Sequence, residues 1–67
     1  MSRRAQVQGL IGELVFVEAA RKRAKMQMPE AVKRISDALD WEAVDAAGNN
    51  LDTTLHLIRQ AAARAVK

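Results

Sequence analysis

The chain has 67 residues, with eleven basic against eight acidic side chains for a net charge of +3, one histidine and no cysteine. That length allows one domain, residues 1–67, which buries only roughly 60% of the surface its unfolded form exposes and so calls for regular helix packing or a partner chain. Disulfide scaffolds are excluded by the missing cysteines, His56 alone supplies no metal-ligand set, and a charge of +3 is compatible with nucleic acid without requiring it.

Met1-Ser2-Arg3-Arg4 followed by the apolar stretch Val7–Val17 has the outline of a signal peptide, but Glu13 interrupts it and no small-residue cleavage site follows before the basic cluster. No run reaches the about 20 apolar residues of a membrane-spanning helix. The expectation is a cytoplasmic protein. Its abundant alanine and arginine fit a bacterial or phage source.

The first predicted element is a helix over about residues 6–26. Val7, Leu10, Ile11, Leu14 and Val17 recur at offsets of three and four on one face, with Phe16 on the opposite side. Gly9 and Gly12 each cost roughly 1 kcal/mol relative to alanine in a helix interior. Leu14-Val15-Phe16-Val17 is rich in strand formers, so a strand within 6–17 stays open beside the helix. Arg21, Lys22, Arg23 and Lys25 would occupy the last turns, where cations suit the macrodipole.

The second predicted helix covers about residues 29–47. Pro29 suits a first helical turn and Glu30 follows as an early acid. Val32, Ile35, Leu39, Ala43 and Ala46 form its stripe, and Trp41 and Val44 lie outside it. Two readings follow. On a continuous helix Trp41 is exposed and a contact residue; if Asp40 caps a fresh start, Trp41 is core.

The third predicted helix, about residues 51–66, follows Gly48-Asn49-Asn50. Gly48 suits the left-handed closure of a helix, an asparagine caps the next, and Asp52 sits in a first turn that favours negative charge. Leu51, Leu55, Ile58, Ala62 and Ala65 make the central stripe. Thr54, Leu57, Ala61 and Val66 widen the apolar arc beyond the ~100° needed for one buried face. Either helices 1 and 2 together cover that arc or part of it meets a partner. The fold expected is an all-α, three-helix domain with a C-terminal αα-corner, assembled as a homodimer.

Catalytic chemistry finds little to work with. Ser2 and Ser36 lie in no nucleophile motif, and Asp37, Asp40, Glu42 and Asp45 without converging ligands read as a solvated helix face. No enzyme activity, metal or cofactor is expected. Large apolar and aromatic side chains dominate interfaces, which nominates Phe16, Trp41, Leu55, Leu57 and Ile58 as protein contacts. Arg21, Lys22, Arg23, Lys25 and Gln27 are the candidates for phosphate or base contact, although a solvated helix end explains the basic cluster equally well.

Three resemblances bear on these candidates. Arg23-Ala24-Lys25-Met26-Gln27-Met28, alternating polar and apolar before Pro29, resembles the ribbon-helix-helix family; that likeness implies a dimeric strand whose Arg23, Lys25 and Gln27 face DNA. Gly48 with the helix from Leu51 resembles a helix-turn-helix, which implies exposed Asp52, Thr53, His56, Arg59 and Gln60 on a recognition helix. The stretch from Ala43 and Val44 through Gly48-Asn49-Asn50-Leu51 to Thr54, Leu55 and Ile58 is similar to the last two helices of ubiquitin-associated-type domains, which implies protein binding without implying ubiquitin. The function expected is a small regulatory adaptor or stoichiometric inhibitor, of the kind phages and plasmids direct at host transcription regulators or enzymes, which binds protein through apolar helix faces. A dimeric DNA-binding regulator is the alternative.

Overall fold

The computed structural model describes residues 2–66, which form five α-helices with no strand among them. They are α1 (Arg3–Glu13), α2 (Val15–Ala24), α3 (Met28–Ala38), α4 (Trp41–Ala47) and α5 (Leu51–Ala65). The all-helical expectation holds, but the three long helices become five because two of them break.

The first break is at Leu14, whose backbone is extended (φ −84°, ψ 130°) between α1 and α2. An unbroken helix over 6–26 would be about 31 Å long, as long as the molecule's greatest extent of 32 Å, and its second half would leave the core. The bend instead lets α2 meet α3 and α5. The Leu14-Val15-Phe16-Val17 run forms this bend and the first turn of α2, so no strand forms within 6–17.

Asp40 makes the second break. Its carboxylate accepts the Ala43 N–H at 3.2 Å and starts α4 afresh, which is the capped alternative of the two readings of Trp41. Ser2 does the same for α1 through Ala5, and Asn50 for α5 through Thr53, each at 3.1 Å. No side chain caps α3, which relies on Pro29 in its first turn.

The core takes one fully buried branched side chain from each helix: Ile11, Val17, Ile35, Val44 and Ile58. Val7, Leu39, Ala61 and Ala62 fill between them. Helices α1 and α3 lie antiparallel, as three successive pairings show. Arg4 sits over Trp41 just beyond the end of α3, Gln8 bonds Ser36, and the Gly12 backbone runs beside Val32. Buried Ser36 ties this seam together: its hydroxyl accepts from Gln8 Nε2 at 3.0 Å, and its carbonyl accepts from Trp41 Nε1 at 2.9 Å. Among the described residues, no helix is long and apolar enough to cross a membrane.

Candidate interaction surface

Two connections turn on a residue with positive φ, Lys25 (58°) and Gly48 (56°). At the first, Lys25 N–H bonds Lys22 O and Met26 N–H bonds Arg21 O, the paired pattern of a Schellman closure. Met26 then tucks into the interior and the Arg21 guanidinium donates to its carbonyl at 3.1 Å. At the second, Gly48 has ψ −121°, a conformation only glycine holds without strain. The Arg3 guanidinium reaches from α1 to donate to the Gly48 carbonyl.

Beside this second connection lies an open groove of about 190 Å³. It is walled by Arg3, Gln6, Val7 and Leu10 of α1 on one side and by Gly48, Asn49, Leu51 and Thr54 on the other. Leu51 stands 57% exposed on its wall, one of two large apolar side chains exposed among the described residues; the other is Val15 on the outer face of α2, at 82%. Thr54 is buried and its hydroxyl donates to Asn50 O at 3.0 Å. No carboxylate or imidazole is among the lining residues.

The residues nominated as protein contacts do not gather here. Phe16 is half-buried at the α2–α5 seam with the Arg59 guanidinium 4.3 Å from its ring centre. Trp41 is half-buried at the seam of α1 and α4, covered by Arg4 at 4.5 Å. Leu57 packs against the core, and Leu55 is half-buried outside it. Ile58 is corrected from contact to core: it is wholly buried, because α2, α3 and α4 all pack on α5 and close the centre of its apolar arc.

The nominated basic residues sit at the α2–α3 turn. Arg23 is helical, Lys25 left-handed and Gln27 the residue before α3, so the alternating stretch 23–28 forms no strand. Its Met26 is taken into the core, and its polar residues follow a helix end and a turn. Arg21 points inward to Met26 O, and Lys22 pairs with Glu18 at 3.5 Å. Arg23 and Lys25 are exposed and make no ion pair among the described residues. On α5, Asp52, Thr53, His56, Arg59 and Gln60 are exposed as the recognition-helix reading requires. His56 Nε2 and Gln60 Nε2 are 3.1 Å apart, however, and Arg59 is engaged by Phe16.

Charge is sharply divided along α3. Residues 21–34 carry six basic and one acidic side chain, and residues 37–52 carry five acidic and no basic ones. The α2–α3 turn is thus a basic pole, whereas the acids of α4 and the start of α5 are offset by Arg3, Arg4 and Arg64, which lie against Gly48, Trp41 and Ala38.

Sequence reading missed Leu51 as a surface residue by placing it in the buried stripe of α5. A signal was present. A helical side chain leans toward the N-terminus of its helix, so one that directly follows the cap hangs over the connection rather than over the helices that cover the rest of the stripe. Comparison with protein-family models, with curated proteins and with solved structures finds no match.

Proposed function

We propose that this chain is a small, non-catalytic protein-interaction module that binds another protein in the groove between α1 and the α4–α5 connection, as an adaptor or a stoichiometric inhibitor. The exposure of Leu51 on the groove wall carries this reading, because the other large apolar side chains of α5 are wholly or partly covered within the chain. At about 190 Å³ the groove is smaller than the roughly 300–1,000 Å³ of small-molecule sites. It suits one or two anchoring side chains of a protein partner, the residues that dominate interface energetics. Its lining supplies binding surface and a guanidinium rather than a general base or an activated nucleophile.

Affinity capture from nuclease-treated lysate, with the wild type and Leu51→Asp side by side, tests the reading. One or two proteins held in near-stoichiometric amount by the wild type and lost by the variant support it. Equal retention by both chains assigns binding to another surface.

The basic pole favours a second reading, a nucleic-acid contact through Arg23, Lys25 and Lys33, which are exposed and outside any ion pair among the described residues. Its mark is salt dependence: the logarithm of affinity falls by about 0.9 per phosphate contacted for each tenfold rise in salt.

A further inference from the structure

We propose that the α2–α3 turn binds the phosphate backbone of double-stranded DNA without reading its sequence, with Lys25 at the centre of the contact. The proposal rests on the nucleic-acid reading of the basic pole, and it names the form of nucleic acid and the residue on which binding turns.

The fold itself sorts the cations it uses from those it does not. Arg3, Arg21 and Arg64 donate to carbonyls at helix connections, two more arginines cover Trp41 and Phe16, and Lys22 and Arg34 pair with acids one turn away. Among the described residues that leaves Arg23 and Lys25 at the α2–α3 turn and Lys33 in the second turn of α3, all three exposed.

Lys25 is the decisive one. A φ of 58° suits glycine, and any other side chain held there costs stability. Two residues on, Gln27 makes no cap bond where serine, asparagine or aspartate would make one. The other connection holds Gly48 and Asn50, the residues its geometry favours. A lysine that strains the backbone, makes no ion pair among the described residues and stands exposed on a basic pole is placed for a ligand outside the chain.

The side chains around it select the form of that ligand. Proteins that hold single strands stack bases on aromatic rings, and the chain's two aromatics are half-buried at other seams beneath arginines. Duplex RNA is recognised largely through its 2′-hydroxyls, and Gln27 is the one uncharged hydrogen-bonding side chain within residues 21–34. Reading base edges takes a helix or ribbon laid in the major groove, whereas these cations flank a turn. Phosphate contact to duplex DNA is what remains. Three such contacts give weak binding, in the range of about 10⁻⁴–10⁻⁶ M that sequence-independent association shows at physiological salt.

Fluorescence anisotropy of a labelled DNA duplex, titrated with the full chain over a series of salt concentrations, tests the proposal. The logarithm of affinity is expected to fall by about 2.7 per tenfold rise in salt, and by about 0.9 less in each of Arg23→Gln, Lys25→Gly and Lys33→Gln. Lys25→Gly is expected to weaken binding about eightfold at 0.1 M salt while raising the denaturation midpoint; a purely structural residue would not move the two in opposite directions. Lys25→Gln, which keeps a side chain on the strained backbone, is expected to lose the same contact without that gain. Arg64→Gln removes an equal charge where the arginine serves the fold, and it is expected to leave the salt slope unchanged; Arg59→Gln replaces it should it unfold the chain. Duplex affinity that Lys25→Gly leaves intact, or that the Arg64 or Arg59 variant lowers as much, overturns the proposal. Preference for a DNA single strand or an RNA duplex of the same sequence also overturns it, while leaving the nucleic-acid reading in place. Failure to bind any of the three removes both.

Discussion

The connections Lys25-Met26-Gln27 and Gly48-Asn49-Asn50 open with the same device and end differently. Each turns on a positive φ and is followed within three residues by a large apolar side chain. After the first, Met26 is 7% exposed and its carbonyl is held by Arg21. After the second, Leu51 stays out although Arg3 grips the turn and Asn50 caps the helix. Turn chemistry sets the direction of the chain; neighbouring helices decide whether the next apolar side chain becomes core or surface. Around Met26 the neighbours close, and around Leu51 the start of α1 passes by and leaves a groove.

The largest effect separating the two turns comes from truncating their apolar residues. Met26→Ala is expected to cost about 2–5 kcal/mol, as buried large-to-small changes do, and Leu51→Ala to stay within about 0.5 kcal/mol. Urea denaturation followed by circular dichroism measures both, and equal losses would remove the contrast.

The pivots come next. Gly48→Ala forces a side chain onto φ 56°, ψ −121° and is expected to cost on the order of 1–3 kcal/mol. Nothing lies within 4 Å of the added methyl, so that cost is backbone strain and not a clash. Lys25→Gly should act in the opposite direction, raising the denaturation midpoint by relieving a left-handed lysine, a gain of up to about 1 kcal/mol.

The smallest effects come from the caps that follow each turn. Asn50→Ala removes the acceptor of the Thr53 N–H and is expected to cost about 1 kcal/mol. Gln27 makes no cap bond, so Gln27→Ser should gain a fraction of that. A loss on Gln27→Ser would mean that the glutamine contributes packing at the α2–α3 turn.

The caps and the core were the legible part of this sequence. The asparagine pair after Gly48 announces a helix because a short oxygen-bearing side chain satisfies a free N–H at its start, and the same chemistry offered Asp40 as one of two readings, the one the structure adopts. Ile11, Ile35 and Ile58 fall on their stripes because one-sided burial imposes the helical period. The break at Leu14 was not legible as a break, since what it achieves is distant: it turns α2 onto α3 and α5, contacts that residues 6–26 do not specify by themselves. Val44 lay off the stripe of a continuous second helix and became core once Asp40 restarted the phase. Periodicity put Ile58 and Leu51 on one stripe, and the fold separated them, Ile58 closed over by three helices and Leu51 left at the rim by the path of α1. The groove depends on residues 3–10 meeting residues 48–54, a pairing that neither segment encodes by itself.

Trp41 is the only tryptophan, and the chain has no tyrosine. Its indole N–H is held by Ser36, and its face is covered by Arg4, which neighbours the arginine that grips Gly48. Intrinsic fluorescence excited at the indole band therefore reports a single site, one placed where α1 lies against the rest of the fold. Any occupant that shifts the first turn of α1 displaces a cation from that ring and alters its emission, so the protein carries a built-in optical gauge of its own groove.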